Sequence, residues 1–199
     1  SATANWQFMQ DEGFNKPVVS SGYINLPSKN KGVQTFIMST KQAGANGQMT
    51  SMMQVPIVSA ANKELVQNTG FVVRSNNNAS SYLLLSVYGV GDGSFGTLTT
   101  RLCKGTGLTS VDSCAEKQLK NNGSTIDVSQ TTMVNMSLTA NKDSIFVEAR
   151  VDGNLYKEVY DISAFNMSSL TYQYVGFKLS DEATKLYDIA WRSSDYADD

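Results

Sequence analysis

The sequence predicts an all-β protein built as an antiparallel two-sheet sandwich. Short runs rich in β-branched and aromatic residues recur along the chain, turns rich in Gly, Asn and Ser separate them, and helical periodicity is almost absent. That combination is typical of β-sandwiches. With 199 residues, the chain has the length of one such domain, so we expect a single β-sandwich over residues 1–199.

The clearest element is a β-hairpin centred on Asp152 and Gly153. In Ile145–Val151, small or branched apolar residues occupy every second position, which is the period of a strand with one buried face. An Asp-Gly pair accepts positive φ at both central positions of a tight turn. Asn154–Tyr160 is therefore predicted to return as the partner strand.

The other predicted strands share short length and flanking turn residues. In chain order they are Asn5–Phe14, Gly22–Leu26, Val33–Ser39, Met49–Val58, Phe71–Arg74, Tyr82–Tyr88, Thr97–Lys104, Thr125–Val128, Met133–Thr139, Leu170–Leu179 and Leu186–Arg192. Asn5–Phe14 is either an edge strand or a cover, and Pro56 favours a strand end. Ala60–Val66 is the one segment with helical character, of one or two turns.

Composition excludes several functional classes. The 16 basic and 18 acidic residues are scattered singly, so there is no basic stripe for nucleic acid. No run approaches the roughly 18 apolar residues of a membrane span, so membrane insertion is not expected. The chain has no histidine, which excludes Ser-His-Asp and Cys-His catalysis and His-ligated zinc.

The two cysteines suggest where the protein functions. Cys103 and Cys114 flank a segment rich in Gly, Ser and Thr, and we expect a disulfide closing it, with two buried free thiols as the alternative. A disulfide implies an oxidising compartment, so we expect a secreted, cell-surface or periplasmic protein. The chain opens without an apolar signal-peptide core, which we interpret as a mature end.

Three segments carry a resemblance to a known superfamily. A strand containing Arg101-Leu102 precedes MVNMSLTANKDSIFVEARVDG, which is similar to a strand pair ending in "x-V-D-G" in the concanavalin A-like and laminin-G-like jelly rolls. YQYVGFKLSDEATKLYDIAW is similar to the closing strands of that superfamily. The resemblance implies a jelly-roll sandwich with one concave sheet, and it implies a polysaccharide or other glycan as the ligand.

Strand alternation suggests which residues face such a ligand. If Leu83, Leu85 and Val87 point inward, Tyr82 and Tyr88 lie on the other face. The same argument applied to the neighbouring strands gives a predicted glycan-binding set on the concave sheet, consisting of Tyr82, Tyr88, Arg150, Tyr172 and Tyr174. Tyrosines at these positions can equally well pack beneath a covering loop. The leading hypothesis is a secreted or cell-surface carbohydrate-binding module.

Two further functions stay open. Glycoside hydrolases of the superfamily carry paired carboxylates as E-x-D-x-x-E, which this sequence lacks. YQYVGFK is similar to part of the alginate-lyase pattern, and a lyase acting on a uronic-acid polymer would use Tyr172 or Tyr174 as base and acid. Lys178 with Arg74 or Arg101 would neutralise the carboxylate. The remaining alternative is a structural or protein-binding sandwich.

Calcium is common in this superfamily, so a structural Ca²⁺ is the one cofactor that the resemblance implies. Asp92, in the Gly-rich turn GVGDGSFG, is one candidate ligand, and Asp181 with Glu182 is the other. No EF-hand spacing is present.

Overall fold

The structure is a computed structural model that describes residues 6–10, 18–20, 23–25, 35–107, 110–167, 171–180 and 183–195, with side chains from residue 36 onward. It is nearly all β, with 61% strand and 6% helix. The predicted fold class, an antiparallel two-sheet jelly-roll sandwich, is confirmed.

Sixteen strands lie in the described residues. They are β1 (Trp6–Gln10), β2 (Val18–Ser20), β3 (Tyr23–Asn25), β4 (Thr35–Ser39), β5 (Gly47–Gln54), β6 (Ile57–Val58), β7 (Gly70–Ser75), β8 (Tyr82–Val90), β9 (Phe95–Gly105), β10 (Val111–Gln118), β11 (Asp127–Ser129), β12 (Val134–Asn141), β13 (Ser144–Val151), β14 (Asn154–Asp161), β15 (Tyr174–Leu179) and β16 (Lys185–Ser193). Sheet A has the order β1-β4-β15-β7-β8-β9-β10, with β11 paired to β9 and β6 paired to β8. Sheet B has the order β14-β13-β12-β5-β16-β3-β2. Among these pairs only β6 with β8 is parallel.

The main core lies between the two sheets and is formed by the alternate residues of their strands. Leu83, Leu85 and Val87 of β8 point into it, as predicted, and Ile145 and Val147 of β13 point into it from sheet B. These side chains are at most 2% exposed. Burial of this continuous apolar layer is the main force holding the sheets together.

The Asp152-Gly153 hairpin has the predicted geometry. Both turn residues have positive φ, 51° at Asp152 and 81° at Gly153, and Val151 pairs with Asn154. Positive φ at both positions matches the right-handed twist of the flanking strands, so the turn sets the register of β13 against β14.

Several element boundaries differ from the predictions. The predicted strand Met49–Val58 is divided into β5 and β6, because Pro56 has no N–H to donate to a ladder. Ala60–Leu65 is a 3₁₀ helix, and a second 3₁₀ turn covers Ser163–Phe165. The sequence does not predict strand β10, because most of its residues are exposed on both faces and it shows no alternation of apolar and polar residues.

Cys103 and Cys114 form the predicted disulfide, which joins β9 to β10. The alternative of two free thiols is wrong. The ladder between these strands shifts register between Asp112 and Ala115, and Ser113 within this bulge has a φ of 50°. The cross-link therefore holds an irregular edge strand on sheet A.

Lys117 of β10 links this edge to the neighbouring edge of sheet B. Its Nζ donates a hydrogen bond of 2.7 Å to the carbonyl of Val159 and lies 5.2 Å from the ring centroid of Tyr160. The backbone of Lys120 also pairs with that of Lys157 on β14. These contacts cover the outer edge of β14, so that part of its backbone is not free to pair with another chain.

Candidate functional site

A cleft lies between the Gly-rich turn joining β8 to β9 and the segment formed by residues 57–65. Its volume is about 330 Å³, near the lower end of small-molecule sites. The lining residues are Ile57, Val58, Ser59, Asn62, Leu65, Gly91, Asp92 and Gly93. The cleft has room for a small polar ligand or for one end of a longer chain.

Glycines in β8 and in the turn after it explain how the two walls of the cleft are held together at its base. The amide of Gly89 donates to the carbonyl of Pro56 at 2.8 Å, and that of Gly91 donates to the carbonyl of Val58 at 2.9 Å. These bonds attach β6 to the end of β8. A Cβ on Gly91 would clash with the carbonyl oxygen of Phe95, so only glycine allows this close approach. The turn and the 3₁₀ helix are thereby held on either side of the cleft.

Three polar side chains in the cleft are available to a ligand. The hydroxyl of Ser59, the amide of Asn62 and the carboxylate of Asp92 make no hydrogen bond or ion pair with any described residue. Leu65 adds apolar surface, since it is 59% exposed. This combination suits a ligand with several hydroxyl groups, because the amide both donates and accepts hydrogen bonds, the carboxylate accepts them, and the apolar patch lies close by.

The outer face of sheet A holds Tyr82 and Tyr88, as strand alternation predicted, but both tyrosines are 0% exposed. The Tyr82 ring packs edge to face on Phe36, with the ring centroids 5.1 Å apart, and its hydroxyl donates to the carbonyl of Gly107. Tyr88 is covered by the segment after the 3₁₀ helix, through its contact with Gln67. Both rings are therefore covered in this structure, and neither contributes an open stacking surface.

Tyr88 belongs to a hydrogen-bonded group centred on Gln67. The Tyr88 hydroxyl donates to Glu116 at 2.7 Å and accepts from the Gln67 amide at 3.0 Å. Arg101 donates to both the side chain and the carbonyl of Gln67, and Glu116 also pairs with Lys63 at 3.2 Å. Burial is the main cause that raises the pKa of the Tyr88 hydroxyl, so this hydroxyl keeps its proton near neutral pH.

The sequence of this chain matches no known family, but its fold is similar to several solved structures. No protein-family model and no curated protein sequence matches the chain. The carbohydrate-binding module CBM66 from Bacillus subtilis has a TM-score of 0.54 at 14% identity, covering 95% of this chain and 96% of that one. The exoplasmic/lumenal domain of VIP36, with Ca²⁺ and Man3GlcNAc bound, has a TM-score of 0.56 at 10% identity, covering 98% and 88%. A legume lectin-like domain from Entamoeba histolytica has a TM-score of 0.56 at 8% identity, covering 96% and 91%.

The chain has a concanavalin A-like jelly-roll fold. The superfamily resemblance seen in the sequence is therefore confirmed at the level of fold. No helix in the described part of the jelly roll is long and apolar enough to cross a bilayer.

The jelly roll does not bring the predicted glycan-binding set together. Arg150 is exposed on the outer face of sheet B, on the other side of the molecule from Tyr82 and Tyr88. Tyr174 is half-buried against the cluster on the outer face of sheet A. Tyr172 is half-buried against the main core between the sheets.

The candidates for a lyase are also dispersed. Lys178 is fully buried, with its Nζ 3.3 Å from the Tyr82 hydroxyl and 5.2 Å from the Phe36 ring centroid. Arg101 is held by its two hydrogen bonds to Gln67. In the described residues, no tyrosine and cation from the predicted set are exposed together.

The Arg74 side chain is buried and hydrogen-bonded within the fold, so it does not face solvent. Its guanidinium donates hydrogen bonds to the carbonyls of Ala45, Met167 and Lys142 and to the Asn46 side chain. The side chain is 1% exposed, and burial lowers its pKa, an effect that the nearby Asp195 and Asp143 carboxylates oppose. Arg74 therefore joins three loops and is not available to neutralise a substrate carboxylate.

The described residues hold no cluster of carboxylates of the kind that calcium sites use. Ca²⁺ takes six to eight oxygen ligands, commonly from several carboxylates. Asp92 is the one carboxylate lining the cleft, and the part of the chain that the structure describes holds no group of three potential metal ligands. Asp181 and Glu182, the other candidates, lie outside the described residues.

Sequence reasoning missed Ser59, Asn62 and Leu65 as site residues. They lie in or next to Ala60–Val66, which the sequence predicts as a helical turn and not as a binding site. The available signal was an asparagine and a leucine in the short segment that follows Pro56, together with the carboxylate of Asp92 in a Gly-rich turn. Only the pairing of β6 with β8 shows that the two segments face each other.

Proposed function

We propose that this protein is a carbohydrate-binding module that holds a glycan in the cleft between residues 57–65 and the β8–β9 turn. The observation that carries the proposal is that the Ser59, Asn62 and Asp92 side chains line the cleft beside an exposed leucine and make no hydrogen bond or ion pair with a described residue. The similarity of the fold to a carbohydrate-binding module and to lectin domains supports it.

The proposed contacts follow from the chemistry of the side chains. The Asp92 carboxylate accepts hydrogen bonds from two adjacent sugar hydroxyls, and Asn62 both donates and accepts. Hydrogen bonds to a charged group are stronger than neutral ones, so Asp92 contributes most to affinity. Leu65 packs against the apolar C–H face of the ring. A cleft of about 330 Å³ suits the end of a glycan or a short stretch of it.

The proposed location is outside the cytoplasm. The Cys103–Cys114 disulfide persists in an oxidising environment, which favours a secreted, cell-surface or periplasmic protein. We take residues 1–199 as one domain. We do not extend the proposal to a polysaccharide lyase, because the predicted base and cations do not meet at one exposed place among the described residues.

The test measures binding of a polysaccharide panel by glycan array and by affinity electrophoresis. We expect wild-type protein to bind at least one glycan, and D92N and N62A each to weaken that binding about tenfold or more, since each loses a hydrogen bond that a desolvated hydroxyl needs. The matched controls are E64Q, a charge change on the same helix away from the cleft lining, and N135A on sheet B. Both controls should bind as wild type does.

The outcomes separate the alternatives. If N135A weakens binding and D92N does not, the glycan lies on sheet B and the cleft assignment is wrong. Growth of ultraviolet absorbance from a new C=C bond during incubation would indicate a lyase instead. A folded wild-type protein that binds no glycan would favour the structural or protein-binding alternative.

A further inference from the structure

The outer face of the β13–β14 hairpin presents an uncovered apolar pair. Phe146 and Val159 lie directly opposite each other in the register and are 43% and 42% exposed. Side chains at alternating positions of β13 point into the core, so Phe146 faces away from the sandwich. Two adjacent apolar side chains on an open sheet face favour burial against another surface.

The next row of the same face carries opposite charges. Glu148 lies opposite Lys157, and the row after it places Arg150 opposite Leu155. The side chains of Glu148, Arg150 and Lys157 make no ion pair or hydrogen bond with a described residue. The face thus has charges of both signs, which no described residue neutralises, beside its apolar pair.

Symmetry turns these rows into a self-complementary surface. The two-fold axis lies above the outer face, parallel to the strands and midway between β13 and β14. Rotation about this axis places β14 of the second copy over β13 of the first and does not shift any residue along the strand direction. Each residue of β13 therefore faces, in the second copy, the same residue that is its cross-strand partner within one chain. Phe146 meets Val159 of that copy, and Glu148 meets Lys157 twice, once in each direction.

We propose that two copies of this chain associate through the outer faces of their β13–β14 hairpins, about this axis. Lys117 and Lys120 already occupy part of the backbone edge of β14, whereas its outer face is open, so the copies meet face to face. The contact is small and mixed in polarity, which places the dimer in the weak class of interfaces. Both clefts, on the side of sheet A, remain open in the dimer.

The test uses sedimentation velocity on the full chain over a range of concentrations. Wild-type protein should move from the monomer mass toward twice that mass as its concentration rises. E148K brings two ammonium groups together in each charged row, and K157E brings two carboxylates together, so each variant alone should weaken dimerisation about a hundredfold or more. E64K, an equal charge change on the other side of the molecule, should dimerise as wild type does.

The decisive experiment mixes the two single variants. An equimolar mixture of E148K and K157E restores both opposite-charge pairs, but only between unlike copies, so heterodimers should form while each variant alone stays monomeric. A folding defect cannot produce that result. A wild-type chain that is monomeric at every concentration, or a mixture that stays monomeric, would overturn the proposal. Lost glycan binding by E148K without any change in mass would overturn it as well, by showing that the face holds a ligand instead.

Discussion

Asp195 fastens the end of β16 to the loop before β5. Its carboxylate accepts hydrogen bonds from the amides of Ala45 and Asn46, at 2.7 and 2.8 Å, and from the Asn46 side chain at 2.8 Å. Burial raises the pKa of this carboxyl, but the hydrogen bonds from Asn46 and Ala45 and the charge of Arg74 outweigh burial, so the pKa is lowered. The ionised form is thus favoured in the folded state.

This lowered pKa predicts a specific dependence of stability on acid. A carboxyl whose pKa is lower when folded stabilises the fold above its unfolded pKa of about 3.9, and that contribution disappears as the pH falls through the folded pKa. D195N should therefore have a lower free energy of unfolding than wild type near neutral pH, and the difference between the two proteins should shrink below about pH 4. Urea unfolding of both proteins from neutral pH to pH 3 measures this difference. D92N, whose carboxylate has no described partner, is the control. A gap that widens in acid would contradict the prediction.

Arg74 shows at the residue scale what a sequence leaves undetermined. A basic residue at the end of a β-rich run is consistent with a surface clamp, and the lyase alternative used Arg74 as one candidate for that role. The structure gives Arg74 a φ of 51° and buries its guanidinium among carbonyls of three loops. Those loops are far apart in the chain, so no local pattern could reveal them as its partners.

At the scale of elements, the β13–β14 hairpin was predictable because its information is local. The turn residues fix the backbone, and the alternation in β13 fixes the buried face. Edge strand β10 was not predictable in the same way, because a strand with both faces exposed carries no alternation. The residues of the cleft were missed for a related reason. Asn62 and Asp92 belong to two segments that only sheet pairing brings together.

The turn of this hairpin gives a test of how far local conformation controls stability. A Cβ at Gly153 would meet no atom within 4 Å, so any penalty for a side chain there comes from its φ of +81°. G153V should destabilise the protein by about 1 kcal/mol or more, because a β-branched residue resists the left-handed region. G153N should cost less, since Asn tolerates positive φ. Equal free energies of unfolding for the two variants would exclude a conformational cause.

At the scale of the whole molecule, the fold was predictable and the cover of sheet A was not. Alternation correctly placed Tyr82 and Tyr88 on the outer face, but exposure depends on what lies above that face. The segment around Gln67 covers part of it, through its contact with Tyr88, and Gly107 in the loop after β9 contacts the Tyr82 hydroxyl. Periodicity within one strand says nothing about such long-range cover, so the predicted binding surface was buried.

The Cys103–Cys114 cross-link should stabilise the whole sandwich, because it holds β10, the last strand of sheet A, whose Lys117 contacts sheet B. A disulfide closing a loop of this size contributes about 3 kcal/mol. Reduction should lower the free energy of unfolding by that amount, and the double variant C103S/C114S should match the reduced wild type and be insensitive to reductant. Denaturant unfolding with and without reductant measures the difference. The cleft lies at the other end of β9, so reduced protein that is still folded should keep its glycan binding. An unchanged midpoint on full reduction would show that β10 is held by its ladder alone.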